Sequence, residues 1–251
     1  MQSNPTQDIG GVFSRSWRLL SANWIIIVPA IVISAIAGLI NAALMPRYAW
    51  DPVSGMVYHS LFGLTMALAI AIAGFIGLIA SVLSMTVTTG MADAAWKTGS
   101  ATVGDGLGVL SRPNVTAAMF ALFGVSLVLS LLTFATIGLA GIIELVVFFF
   151  LVYTLAAAVV GGFGGVDALK ESFEVAKRSW QTTLIVIVLL GVVGVLAGIV
   201  AGLFHFVPLL GPIVGGAVQG AVVGFFSLVL VGEYVSLRGS SDAGANAAPL
   251  V

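Results

Sequence analysis

Six long apolar stretches, nearly free of charge, dominate the pattern of hydrophobic and polar positions along this chain of 251 residues. A helix that crosses a bilayer needs about 20 predominantly apolar residues. The stretches meet this requirement and predict six transmembrane helices. Their bounds are Trp24 to Met45, Leu61 to Val87, Val115 to Phe134, Leu139 to Val160, Thr183 to Phe204 and Pro212 to Val231. The second stretch lies in an apolar run longer than one crossing requires, so we expect its helix to tilt or to leave the bilayer.

The composition agrees with a chain whose solvent is largely lipid. Hydrophobic residues make up 60% of it and charged residues 8%, whereas a soluble domain carries about 25% charged residues. The formal net charge is −1, so there is no basic excess to hold nucleic acid. The chain has no Cys, which excludes disulfides and thiolate chemistry.

Basic residues are distributed unevenly between the two sides of the predicted spans. Eight of the nine Lys and Arg residues fall in the N-terminus, the second and fourth loops and the tail: Arg15, Arg18, Lys97, Arg112, Lys170, Lys177, Arg178 and Arg238. Arg47 alone lies in a loop on the other side. Because cytoplasmic loops collect Lys and Arg, both termini are predicted to be cytoplasmic. That orientation requires an even number of spans and so supports the count of six.

A short motif recurs three times, each time before a pair of spans. An acid, three residues, Val, two residues and Arg begin at Asp8, Asp105 and Glu171. We interpret the unit as a leader helix followed by a transmembrane hairpin, with repeats at about 8–95, 103–163 and 167–237. Since each unit has two spans, the repeats are parallel. They form one domain over 1–238, followed by a predicted disordered cytoplasmic tail at 239–251.

The leaders have the periodicity of amphipathic helices that lie in the membrane interface. The apolar stripe of the first consists of Ile9, Val12, Phe13, Ser16, Trp17 and Leu20, and that of the third of Leu169, Phe173, Ala176 and Trp180. The second is weaker because its three glycines lower its helicity. Arg15, Arg112 and Arg178 are predicted to face lipid headgroups. The expected fold is therefore all-α: a polytopic bundle of six transmembrane helices in three parallel hairpin repeats, each preceded by a cytoplasmic interfacial helix.

Two glycine ridges predict close helix packing in the last hairpin. Gly194, Gly198 and Gly202 recur at four-residue spacing in the fifth span, and Gly216, Gly220 and Gly224 in the sixth. Small residues at this spacing let helices approach closely in lipid. The two ridges could face each other, other spans or another subunit.

Two polar residues inside the spans are candidates for a functional site. Glu144 is the one acid well inside a predicted span, and an ionisable residue there is a functional hypothesis; the alternative is a carboxyl group near the outer headgroups or hydrogen-bonded within the bundle. Gln219 is the second candidate, with interhelical hydrogen bonding as its other role. His59 and His205 lack the spacing of a closed metal site. Neither a cofactor nor a metal is expected.

The repeated leaders Val12-Phe-Ser-Arg15-Ser-Trp17 and Val175-Ala-Lys-Arg178-Ser-Trp180, with the glycine-rich hairpins after them, resemble a known family. From about Asp8 to Leu237 the chain is similar to the membrane domain associated with bacterial glycerophosphoryl diester phosphodiesterases and to related six-span inner-membrane proteins. In those phosphodiesterases the chemistry belongs to an attached soluble barrel, which this chain lacks. The resemblance therefore implies a membrane module in a bacterial inner membrane and no catalytic residue.

The sequence thus favours a non-enzymatic integral membrane protein that organises lipid or supports a partner complex. Paired carboxylates, a nucleophile beside a His and the HExxH motif are all absent from the sequence. Membrane lipids are the expected partners, with other membrane proteins or self-association as further options. The alternative is a small transporter or channel for an apolar or amphiphilic solute, with Glu144 and Gln219 near its path.

Overall fold

Helices account for most of the computed structural model, which describes residues 9–44, 47–51, 55–59, 66–135, 141–204 and 210–246. The helices are α1, Ile9–Ala22; α2, Val28–Leu44; α3, Met66–Thr98; α4, Val103–Val109; α5, Pro113–Ala135; α6, Gly141–Leu151; α7, Thr154–Val159; α8, Gly165–Arg178; α9, Trp180–Phe204; and α10, Leu210–Asn246. A 3-10 turn at Trp24–Ile27 joins α1 to α2. The predominance of helix confirms the predicted all-α class.

Among the described residues, six helical segments are long and apolar enough to cross a membrane, as predicted. They are Trp24–Asn41, Leu68–Thr98, Pro113–Leu132, Ile142–Val159, Trp180–Leu203 and Ala217–Gly239. Large hydrophobic side chains remain exposed on their outer faces, most densely along α9 between Leu184 and Leu203. Exposed apolar surface on this scale marks contact with lipid. The chain is a multi-pass membrane protein.

Two of these helices extend well beyond their predicted spans. α3 has 33 residues and is therefore about 50 Å long at 1.5 Å per residue, against about 30 Å for the hydrocarbon core of a bilayer. α10 passes the predicted end of the sixth span at Val231 and continues to Asn246. It therefore covers the first part of the segment from residue 239 that the sequence predicts to be disordered.

A short β-hairpin lies between α2 and α3, in the segment that the sequence predicts to be the first loop. β1, Arg47–Asp51, pairs antiparallel with β2, Gly55–His59. Tyr48 is opposite Tyr58 in the register of this pair. The segment is rich in aromatic and β-branched residues, which favour strands.

The fourth span is broken, although the sequence predicts one helix from Leu139 to Val160. α6 ends at Leu151 and α7 begins at Thr154. At the break the Tyr153 backbone N–H donates to Ser172 Oγ at 3.0 Å, and the Ser172 hydroxyl donates to the Phe150 carbonyl at 2.8 Å. A side chain inserted into the backbone ladder is a known cause of such breaks. Ser172, on α8, satisfies two backbone groups that the interrupted helix leaves open.

The second span of each hairpin lies at the centre of the bundle. α10 packs on α3, and α7 contacts both. Every residue of α7 is buried, as are long stretches of α3 and α10. Thr88 of α3 and Ser227 of α10 share a buried hydrogen bond of 2.7 Å. These three helices form the hydrophobic core.

α1, α4 and α8 lie at the same end of the bundle, which we call the leader end. α4 packs on α3, α8 packs on α5, α6 and α7, and α1 packs on α10. Each short helix therefore rests on the hairpin that precedes it, and α1 rests on the last one. This arrangement brings α1, the first described helix, against the final span.

The buried faces of α1 and α8 match the predicted apolar stripes only in part: the predicted residues that are buried are Ile9, Val12, Ser16, Leu20 and Ala176. In α1, Leu19 is buried, whereas Trp17 is 64% exposed. In α8, Ala168, Ser172 and Val175 are buried, whereas Phe173 is exposed. The exposed Trp17 ring still packs edge-on against Phe225 of α10, with the ring centroids 6.2 Å apart. Trp24 and Trp180 are likewise exposed.

α4 forms despite its three glycines because it is capped and closely packed. The Thr102 side chain accepts a hydrogen bond from the Asp105 backbone N–H, and the Asp105 carboxyl group accepts one from the Thr102 backbone. This capping box satisfies two open donors of the first turn. A Cβ at Gly106 would lie 2.7 Å from both the Val87 carbonyl and Met91 Cγ, so only glycine allows this approach to α3.

The capping box predicts a pH-dependent contribution to the stability of the leader end. Hydrogen bonds from Thr102 hold the pKa of the Asp105 carboxyl group below its ordinary value. A carboxyl group whose folded-state pKa is lowered stabilises the fold above its ordinary pKa of about 3.9, and this contribution is lost as pH falls through the lowered pKa. Asp105→Asn should therefore reduce stability at neutral pH by less than about 1 kcal/mol, because the group is exposed.

Unfolding midpoints of both proteins, measured in detergent from neutral to acidic pH, test this prediction. The difference between Asp105→Asn and the parent should shrink as the carboxyl group is protonated. A difference that stays constant across the acidic range would contradict it.

Candidate functional site

Trp96, near the C-terminus of α3, contacts both α1 and α10 at the leader end. Its indole Nε1–H donates to the Leu228 carbonyl of α10 at 2.8 Å. Its ring lies directly against Gly232, where any Cβ would overlap ring atom Cζ2. The hydrogen bond and the glycine together fix the ring flat on α10.

Arg15 of α1 covers the other side of this ring. The guanidinium carbon lies 4.2 Å from the Trp96 ring centroid, a cation–π arrangement. The Arg15 Nη2 group also donates to the Trp96 carbonyl at 3.0 Å. That carbonyl is in the last turn of α3, where the helix dipole favours a cation. Arg15 therefore ties α1 to the end of α3 in addition to presenting charge.

A cavity of about 610 Å³ opens beside this stack, between α1, α3 and α10. Arg15, Arg18 and Lys97 line it, together with one acid, Asp93. Lys97 Nζ lies 2.7 Å from Asp93 Oδ2, so this cation is already paired. Three cations against one carboxyl group give the lining a formal charge of +2. We call it the cationic cavity.

Asn23 fastens the α1–α2 junction to the loop that follows α3. Its side-chain amide donates to the Leu19 and Gly99 carbonyls, each at 3.0 Å, and its Oδ1 accepts from the Ala101 backbone N–H at 3.1 Å. The bonds to Gly99 and Ala101 connect this junction to the loop after α3, close to the residues of α1 and α3 that line the cationic cavity.

The three arginines predicted to face headgroups lie in different surroundings. Arg15 lines the cationic cavity with Arg18 and Lys97. Arg112, just before α5, and Arg178, at the end of α8, are exposed and are not among the residues that line this cavity. A headgroup contact stays a prediction for all three.

Glu144 and Gln219 are not brought together. Glu144 lies in the first turn of α6 and lines a second cavity, between α3, α5 and α6. Gln219 lies on α10, is exposed and is not among the residues that line that cavity. A single path past both residues is therefore not supported by their positions.

The two glycine ridges have different neighbours. Gly220 and Gly224 of α10 face Ile27 and Ile31, at the start of α2. In α9, a Cβ at Gly194 would lie 3.8 Å from Phe226 of α10, whereas Gly198 and Gly202 adjoin open space. The ridges therefore do not meet each other, although α9 and α10 are in contact. Gly216 lies within α10, but its surroundings fall outside the described side chains.

Sequence reasoning missed two features of the interior. Glu233 of α10 is only 2% exposed, and Tyr153 at the break in the fourth span is fully buried. The predicted sixth span stops at Val231 and therefore leaves Glu233 outside. The apolar periodicity that continues through Tyr234 and Leu237 was the signal that could have extended it.

The part of the chain that the structure describes contains no group of three or more His, Asp or Glu residues that could hold a metal ion. His205 lies outside that part. No known protein family, curated protein or solved structure matches the chain.

Proposed function

We propose that this chain is a non-enzymatic membrane module that binds anionic phospholipid headgroups in the cationic cavity and so organises lipid around its leader end. This proposal extends the expectation that Arg15 faces headgroups, because it places the headgroup in the cationic cavity between α1, α3 and α10. Arg112 and Arg178 would then contact headgroups only loosely, at the surface.

The observation that carries the proposal is the convergence of Arg15, Arg18 and Lys97 on one cavity at an end of the membrane bundle. Guanidinium groups bind phosphate through paired hydrogen bonds, and an ammonium group acts as a point charge. Trp17 and Trp24 are exposed near this end, as is typical of side chains at the depth of headgroups.

We further propose that the three leader–hairpin units are parallel repeats with cyclic packing. Each leader rests on the preceding hairpin, and α1 closes the cycle on α10. The second spans of the three units meet in the centre, which a threefold repeat would require. The cationic cavity then lies where the cycle closes, between the first unit and the last.

The uneven distribution of Lys and Arg supports an orientation with the leader end and both termini in the cytoplasm. The resemblance to six-span inner-membrane proteins supports a bacterial inner membrane. The cytoplasmic leaflet of such a membrane carries anionic lipid, which attracts basic residues at its surface. Orientation and proposed ligand are therefore consistent with each other.

The alternative function, a small transporter or channel, has one observation in its favour. Glu144 lines a cavity within the membrane region together with serine side chains. Gln219 contributes nothing to that cavity. Solute flux into proteoliposomes that is lost in Glu144→Gln would put this alternative first.

The test of the headgroup proposal compares two double variants that remove equal charge. The first, Arg15→Gln with Arg18→Gln, removes two of the three cationic side chains that line the cationic cavity and leaves the Lys97–Asp93 pair intact. Arg112→Gln with Arg178→Gln is the matched control at exposed positions. Each basic residue near an anionic lipid surface is worth about 1 kcal/mol, so the first variant should lower affinity at least about tenfold.

The measurement is native mass spectrometry of the proteins released from nanodiscs that contain phosphatidylglycerol and phosphatidylethanolamine. The parent and the control should retain phosphatidylglycerol selectively, and the cavity variant should lose that selectivity. Unfolding midpoints show whether both variants are folded. Equal retention by the two variants would contradict the proposal.

A further inference from the structure

The cavity beside Glu144 is a crevice between α3, α5 and α6 with a volume of about 220 Å³. Eleven of the fifteen residues that line it are apolar, and the other four are Ser81, Ser126, Ser130 and Glu144. An apolar cavity of about 150 Å³ is enough to bind benzene. The crevice has room for a single short hydrocarbon chain and not for the two chains of a phospholipid.

Glu144 and Ser130 lie at one end of the crevice, whereas Ser81, beside Val82 on α3, is a polar residue at greater depth. Glu144 lies in the first turn of α6 and Ser130 near the end of α5, so both belong to the end of the bundle away from the leaders. Ser126 is one turn deeper on α5. Val82, Val152 and Leu155 are buried and line the crevice toward the leader end. Glu144 itself is exposed. The crevice thus has an accessible mouth that carries Glu144 and a mostly apolar floor.

We infer that this crevice binds a single-chain amphiphile with an ammonium headgroup. The Glu144 carboxylate accepts hydrogen bonds and complements the positive charge. The serine hydroxyls beside it supply further acceptors, and the apolar floor takes the chain. Charge pairing is stronger where lipid and protein exclude water, which favours an ammonium group over an alcohol at the same place.

The inference is independent of the headgroup proposal, because the two cavities share no residue. It names a ligand for the site on which the transporter alternative rests, and it requires binding only. Binding that is lost in Glu144→Gln, in a protein that shows no solute flux, would leave the inference standing and remove the transporter.

The experiment uses dodecylamine with a photoreactive diazirine in its chain, added to the full chain in an uncharged maltoside detergent. Labelled residues are mapped by mass spectrometry. Labelling should concentrate on the crevice floor, around Val152 and Leu155. Unlabelled dodecylamine should compete, and dodecanol, which has the same chain and a neutral head, should compete at least about tenfold less well.

Two isosteric variants test whether binding depends on the charge at Glu144 or on the loss of any acid from the protein. Glu144→Gln should reduce labelling of the floor at least about tenfold, whereas Glu174→Gln, at an exposed acid on α8, should leave it unchanged. Full labelling in Glu144→Gln, or equal competition by dodecanol, would overturn the inference. Displacement of the probe by phosphatidylethanolamine at equal concentration would also overturn it, since the site would then belong to a two-chain lipid.

Discussion

Gly232→Ala, at a buried position of α10, is expected to destabilise the protein. The new Cβ would overlap Cζ2 of Trp96 and lie 2.8 Å and 2.9 Å from Cε2 and Cη2. The ring cannot retreat without breaking its 2.8 Å hydrogen bond to the Leu228 carbonyl. Overpacking of this kind costs about 1–3 kcal/mol.

The displaced ring would also move Arg15, which stacks on it at 4.2 Å. Gly232→Ala should therefore weaken retention of phosphatidylglycerol as well as stability, although Gly232 carries no charge. The matched control is Gly198→Ala, because a Cβ at Gly198 meets nothing within 4 Å. Alanine is the better helix former by about 1 kcal/mol, so the control should be neutral or slightly stabilising.

Unfolding midpoints in detergent and lipid retention, measured side by side for both variants, test this prediction. Equal midpoints for Gly232→Ala and Gly198→Ala would contradict the close contact between α3 and α10. A destabilised Gly232→Ala protein with full lipid retention would separate the packing from the cationic cavity.

Ser172→Ala is the second change with a large expected effect. It removes the hydroxyl that donates to the Phe150 carbonyl and accepts from the Tyr153 N–H at the break in the fourth span. Ser172 is fully buried, so water cannot replace it. A buried backbone group left without a partner costs about 1–3 kcal/mol, and two are affected here.

Ser111→Ala serves as its control. Ser111 is exposed, and its hydroxyl donates to the Gly108 carbonyl at 2.7 Å, within one turn of chain. Water can satisfy that carbonyl after the change, so an effect below about 0.5 kcal/mol is expected. Hydrogen exchange should also rise around Tyr153 in Ser172→Ala alone. Unchanged exchange there would mean that the break does not depend on α8.

The parts of the fold that the sequence predicts are those with local causes. Six apolar runs predict six spanning helices because the length of each run alone meets the requirement of a bilayer. α1, α4 and α8 overlap the recurring pattern of acid, Val and Arg, although α4 ends at Val109, before Arg112 of its motif. The hairpin at Arg47–Asp51 and Gly55–His59 is local too, and the aromatic residues with the Asp-Pro and Ser-Gly pairs between the strands could have indicated it.

The candidate sites could be predicted only in part, because they depend on contacts between distant residues. Arg15 was a candidate from its motif, but its place on Trp96 depends on a contact 81 residues away along the chain. The ring is held in turn by a carbonyl 132 residues further on. Periodicity gives the face of a helix and not the neighbour that it meets, so the cationic cavity was not visible in the sequence.

The faces of the leaders show the same limit. The stripe predicted for α1 includes Trp17, which the structure leaves exposed in favour of Leu19. A hydrophobic stripe toward lipid and one toward a protein core look alike in sequence. Contacts with distant residues, such as that of Trp17 with Phe225 of α10, decide between them.

A crystal structure grown from a lipid mesophase doped with phosphatidylglycerol would test the central claim most directly. The account predicts a phosphate group in the cationic cavity, within hydrogen-bond distance of Arg15 and Arg18, with the acyl chains leaving past Trp17. Ordered phosphatidylglycerol at Arg112 and Arg178, with the cationic cavity holding only water, would contradict it.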